Sequence, residues 1–217
     1  KRNNSKFGSS WWDNERKNIN FKEVMNSFDS VKNLKICVIG EDITDVYSNY
    51  RPLGRSSKGS SLVFEQGESE TYDGGTLAVA KNLTAFHDDV TLITNKTGKK
   101  PIYNINRKNI NLGNEIIKER ILDAHTSEKV IEFYNNDFEL TWDSDSEKIF
   151  LKYLNEKKFD LIMCVDFGHG FFTKSIIKAV ESLDTFVALN VQTNAGNRGY
   201  NYVSKWNKAD FVAITAE

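Results

Sequence analysis

Four short stretches carry side chains suited to handling hydroxyls and phosphates. GEDITDVY (Gly40–Tyr47) places Asp42 and Asp45 just beyond an apolar run, LKICVIG. A carboxylate at such a strand end accepts hydrogen bonds from hydroxyls, which suits a polyol such as a sugar. YDGGTLAVAKNL sets Gly74 and Gly75 before a helical pattern, where paired glycines let backbone and ligand approach closely. FDLIMCVDFGHGFFT ends a second apolar run at Asp166 and then opens into Gly168, His169 and Gly170. Basic residues gather in two polar stretches, with Arg51, Arg55 and Lys58 in one and Lys118 and Arg120 in the other. Groups of that kind pair with a substrate phosphate.

Other chemistries lack their parts. A dinucleotide fingerprint needs G-x-G-x-x-G after a strand, and no such spacing occurs. Asp166-Phe167-Gly168 spells a protein-kinase triplet, but no glycine-rich ATP loop, Val-Ala-Ile-Lys strand or His-Arg-Asp loop accompanies it. The three histidines, His87, His125 and His169, show no metal-ligand spacing, so no metal site is expected. No G-x-S-x-G elbow or cysteine–histidine pairing nominates a nucleophile.

The elements that must position these residues alternate between two periods. LKICVIG, VTLIT, DLIMCV, FVALNV and DFVAI are nearly continuous apolar runs, the pattern of strands buried on both faces of a parallel sheet. Helical patterns lie between several of them. Leu77, Ala80, Leu83 and Phe86 share one face, Ile149, Phe150, Tyr153 and Leu154 another, and Ile176, Ile177, Val180 and Leu183 a third. Alternating strands and helices imply right-handed crossovers, hence an α/β, three-layer parallel sheet with helices on both faces. Two segments break the rhythm. Val46–Tyr72 is too polar for core and too long for a simple loop, and Ile116–Tyr134 reads as a hairpin turning at His125–Ser127. Together they predict a small β-lid. Residues 1–20 read as a polar arm, with Trp11 and Trp12 as its only anchors, and a short helix is expected over Phe21–Lys32.

Composition sets the remaining bounds. The chain has 217 residues, 39% hydrophobic and 27% charged, enough for one core with a small appendage. A net charge of -1 argues against nucleic acid as a main partner, and no apolar run is long enough to span a bilayer. Cys37 and Cys164 both sit inside apolar runs, which reads as buried thiols in a reducing, cytoplasmic setting. The sequence begins at Lys1 and stops at Glu217 directly after an apolar run, so it is expected to be part of a longer protein.

VIGEDITDVY, a polar β excursion, ETYDGGTLAVAKNLTAF, KERILD, DLIMCVDFGHGFFT and ADFVAITAE occur in this order. The series resembles the ribokinase-like (PfkB) carbohydrate kinases, and within them the heptose-phosphate kinase branch, including kinase domains fused to a nucleotidyltransferase. The resemblance covers roughly residues 34–217. It implies a Rossmann-like central sheet with a β-lid over the sugar, and transfer of the γ-phosphoryl of Mg-ATP to a sugar or sugar phosphate. Asp45 would hold sugar hydroxyls, and Gly74 and Gly75 would be the hinge of the lid. Arg55, Lys58, Lys118 and Arg120 would face the substrate phosphate. Asp166 would border the cleft, with Asn190 and Glu217 on the nucleotide side. Pairing of lid strands between two copies is a further implication.

The departures are specific. Ala78 stands where the family commonly has asparagine, and His169 where it has lysine. Ile214 occupies the asparagine position of the late Asn-x-x-Glu motif, of which only Glu217 fits. The Gly-Ala-Gly-Asp motif, with its helix N-terminus and aspartate base, is not in the sequence. The expectation is therefore a sugar-binding part that is inactive as a kinase on its own. The alternative is a non-catalytic sugar-phosphate binding or scaffolding module attached to a nucleotidyltransferase.

Overall fold

The computed structural model describes residues 20–95, 104–113, 115–134, 139–193 and 201–214. The chain divides into two units, Lys1–Leu34 and Lys35–Glu217. The described part of the first is helix α1 (Phe21–Val31), started by the Asn20 side chain, which accepts from Lys22 N at 2.9 Å. Helix α1 groups with this first unit.

The second unit is built on two sheets. The apolar runs become β1 (Ile36–Gly40), β4 (Val90–Thr94), β8 (Leu161–Asp166), β9 (Phe186–Val191) and β10 (Phe211–Ala213). With β5 (Ile105–Asn109) they form one parallel sheet in the order β10-β9-β8-β1-β4-β5. Every residue of β1 and β4 is buried, as expected for strands covered on both faces. The polar strand INRKN of β5 gave no apolar run: it lies at the sheet edge, and all its residues are half-buried or exposed.

Helices α3 (Ser144–Glu156) and α4 (Lys174–Ser182) pack on the face that carries Cys37, Ile39, Ile162, Cys164, Val187 and Leu189. Helix α2 (Gly75–Leu83) lies against β1 and β4, where strand alternation turns Ile36, Val38, Val90 and Leu92 the other way. Phe86 does not share the buried face of α2; the helix ends before it and its ring is half exposed. Ile149 likewise points outward, at 70% exposure, while Phe150 and Leu154 take the buried positions of α3.

The two irregular segments form the second sheet. β2 (Asp42–Arg55) and β3 (Leu62–Gly74) make a long antiparallel hairpin, and β6 (Ile116–Asp123) and β7 (Lys129–Tyr134) a shorter one. β2 runs parallel to β6, giving the order β3-β2-β6-β7. Val46–Tyr72 was expected to leave strand edges unpaired. β2 is paired on both sides, whereas β3, from the same segment, keeps an outer edge, as does β7.

An aromatic cluster closes the core near the carboxyl ends of the main strands. Phe171, fully buried, packs edge-on against Trp142, Phe150 and Phe172 at centroid distances of 5.3, 5.9 and 5.3 Å, and Phe172 contacts Trp206 at 5.1 Å. The Trp142 indole donates to the Phe171 carbonyl at 2.8 Å. Truncating Phe171 to Ala is expected to cost about 3–5 kcal/mol, read as a lowered urea midpoint with an unchanged slope.

Candidate functional site

Only Glu41 separates the last residue of β1 from the first of β2, so the chain passes from one sheet to the other in a single step. The Glu41 side chain is fully buried. Its carboxylate accepts from three backbone N–H groups of the loop after β8: Phe167 at 2.9 Å, His169 at 3.1 Å and Phe171 at 3.3 Å. Its carbonyl accepts from both the N–H and the hydroxyl of Thr76, at 2.8 and 2.7 Å, in the first turn of α2. One residue thus ties together β1, α2 and the Gly-His-Gly loop. It was overlooked in the sequence because Asp42 and Asp45 stand out as the acids of that stretch.

Asp166 is the second buried acid. Lys205 Nζ lies 2.7 Å from its Oδ2, the Trp206 indole donates to the same oxygen at 3.0 Å, and Gly168 N donates to Oδ1 at 3.1 Å. These bonds satisfy it internally and hold the 201–206 stretch to the strand end. The Asp-Phe-Gly-His-Gly sequence is thereby fixed at the carboxyl end of β8. His169 is 1% exposed, and burial, with Lys118 nearby, pulls its pKa down to about 4. The imidazole is neutral at physiological pH and supplies no lysine-like charge.

Asp42 also turns inward. Its Oδ2 pairs with Arg107 at 2.7 Å, and its N–H donates to Asn95 at 2.6 Å. Asp45 instead faces the inner base of the second sheet. Its carboxylate is ion-paired with Arg120, which also donates to Glu132 at 3.0 Å and lies 5.1 Å from the Tyr47 ring. Lys118, opposite Asp45 in the β2–β6 register, sits 5.4 Å from the Tyr134 ring. Burial lowers the Lys118 pKa against the opposing pull of Asp45. Asp45, Lys118 and Arg120 are thus brought together.

Both glycines belong to the same junction. Gly75 has φ +57°, a conformation that side chains rarely adopt. Gly74 packs directly against Asp45, so a β-carbon there would collide with Asp45 Oδ2 and crowd Ile43 O at 3.2 Å.

The remaining candidates lie apart. Arg55 and Lys58 are at the far end of the β2–β3 hairpin, Arg55 ten residues beyond Asp45. At about 3.3 Å per residue that is roughly 30 Å away, too far to share a ligand with Asp45 in one chain. Asn190 donates to the Ala213 carbonyl at 3.0 Å, beside a cavity of ≈ 220 Å³ at the carboxyl ends of β9 and β10. Glu217 lies outside the described residues. Among those residues no group of three His, Cys, Asp or Glu side chains could hold a metal ion.

No family model matches the sequence, and no curated protein matches it. Solved structures do. Escherichia coli phosphofructokinase-2 in complex with fructose-6-phosphate is similar over 75% of this chain and 56% of that one, with TM-score 0.52 and 9% identity. A point mutant of the same enzyme gives 0.50 and 10% over 72% and 54%. Arabidopsis thaliana ribokinase complexed with ribose and ATP gives 0.46 and 12% over 74% and 54%. The chain spans about half the length of the structures it matches. Its fold is the α/β fold of ribokinase-like carbohydrate kinases, a parallel six-stranded sheet with flanking helices and an additional mixed sheet.

Two measurements probe this junction. Gly74→Ala is expected to displace Asp45 and cost about 1–3 kcal/mol, read by chemical denaturation. The second concerns pH. Burial and the Asp166 charge raise the Glu41 pKa to about 7, so the fold binds a proton there that the unfolded chain releases above about 4.5. Stability from Glu41 is lost as pH rises from about 4.5 to 7. His169 works in the opposite sense, since its depressed pKa adds stability as pH rises from about 4 to 6.5. The two slopes oppose each other. Glu41→Gln is expected to unmask a steady rise in stability over pH 4–6.5, on the order of 3 kcal/mol, in urea titrations across that range.

Proposed function

We propose that this chain is the sugar-binding part of an ATP-dependent carbohydrate kinase. The observation that carries the reading is the convergence of Asp45, Gly74, Lys118 and Arg120 where the two sheets of a ribokinase-like fold meet. Asp45 accepts hydroxyls of the sugar, and the second sheet is the lid. Gly74 and Gly75 let the two approach.

Phosphoryl transfer is proposed for the whole protein, because the chain spans about half the length of the structures it matches. Mg-ATP would supply the phosphoryl group, but the described residues offer it little. The Asn190 amide is committed to a backbone carbonyl, and the described acids form no metal-binding group. No transfer step is assigned to these side chains, and the chain alone is proposed to bind sugar without phosphorylating it. The substrate the resemblance suggests is a heptose or its 7-phosphate, and the outer edges of β3 and β7 are where a second copy would pair.

A second reading is a non-catalytic sugar-binding module attached to a nucleotidyltransferase. It is favoured by His169, buried and neutral where the family carries a lysine.

Titration calorimetry with a panel of sugars and sugar phosphates tests the site. Asp45→Asn keeps the shape and removes the charge, and is expected to weaken binding at least tenfold, about 1.4 kcal/mol. Equal affinity in the variant would remove Asp45 from the site. ATP-dependent phosphorylation by the intact protein separates the kinase from the module.

A further inference from the structure

One face of the second sheet carries the clearest unassigned surface. Strand alternation sets Asp45, Tyr47 and Asn49 of β2 on the same side. Cross-strand register adds Tyr72 and Glu70 of β3 on one flank, and Lys118, Arg120 and Leu122 of β6 on the other. Part of this face borders a cavity of ≈ 460 Å³. Tyr47 and Tyr72 meet edge to face at 5.6 Å along it, and Tyr72 is 52% exposed. An exposed ring beside carboxylate acceptors is the chemistry that receives a sugar: C–H groups against the aromatic surface, hydroxyls to the acids.

The charges decide which sugar. Three carboxylates lie on this face: Asp45, Glu70 and, across β6, Glu132. The Tyr72 hydroxyl donates to Glu70. Neither cation stands open to solvent. Arg120 is held by both Asp45 and Glu132, and Lys118 is buried beside Tyr134. Further along β2, Arg51 is paired with Glu65, donating through Nε at 2.7 Å. A phosphate carries nearly two negative charges and would have to take Arg120 from two carboxylates while approaching a third. A neutral polyol meets no such opposition.

We infer that the substrate bound at this face is an unphosphorylated, hydroxyl-rich sugar, with Tyr72 as the residue on which its ring packs. The inference rests on the reading of Asp45 as a sugar ligand. It narrows that reading against the sugar phosphate that the basic residues suggested.

The test is calorimetry on the full 217-residue chain with D-fructose, D-mannose and sedoheptulose, each beside its 6- or 7-phosphate. At least one neutral sugar is expected to bind at least tenfold more tightly than its phosphate. Tyr72→Leu, which keeps an apolar side chain at an exposed position, is expected to weaken that sugar at least fivefold. Glu132→Gln releases Arg120 from one partner and is expected to narrow the gap by strengthening the phosphate. Tighter binding of the phosphates by the wild-type chain overturns the inference and leaves the sugar site standing. Neutral binding indifferent to Tyr72→Leu overturns the assignment of the ring. Binding of neither class overturns the inference together with the reading beneath it.

Discussion

A carboxylate removed from water has to be compensated, and the way Glu41 is compensated organises this molecule. Its oxygens collect backbone N–H groups from the loop after β8, and its carbonyl holds the first turn of α2. Neither set of bonds can be exchanged for water at a fully buried position without a large loss. The strand that leaves the main sheet, the helix α2 and the loop after β8 are therefore fixed to one another. Asp45 inherits its position from this arrangement, four residues further on.

The alternation of continuous apolar runs with helical patterns made the main sheet readable, and VTLIT and FVALNV match their strands residue for residue. Such runs are informative because burial on both faces demands them. β5 was not readable, since an edge strand such as INRKN has no such demand on it. Ile149 and Phe86 show the limit of helical spacing: it marks a stripe of apolar residues, but helix length and the neighbours present decide which of them are covered.

At the site, the acids and glycines were legible as types but not in their roles. Asp42 and Asp45 differ by three residues in one sequence stretch, yet one is buried against Arg107 and the other faces the second sheet. Their odd spacing along β2 turns them to opposite faces of the strand. The basic residues divide for a related reason. Composition shows Lys118 and Arg120 as available charge, whereas the β6–β7 pairing places Glu132 beside Arg120 and commits it. Arg55 and Lys58 were grouped with them by sign and by resemblance, and the length of the hairpin separates them.

That hairpin has a mechanical consequence. β2 and β3 are anchored at Ile43–Gly74 and extend to Arg55 and Leu62, with bulges at Ser48/Tyr50 and Pro52/Gly54 along the way. β6 holds the other side of β2 as far as Tyr50, so the arm that stands clear of it runs only from Tyr50 to Arg55. At about 3.3 Å per residue that arm is roughly 17 Å long, and a tilt of about 10° at Tyr50 sweeps the tip through about 3 Å. The tip can thus swing while the base that carries Asp45 stays clamped between β3 and β6.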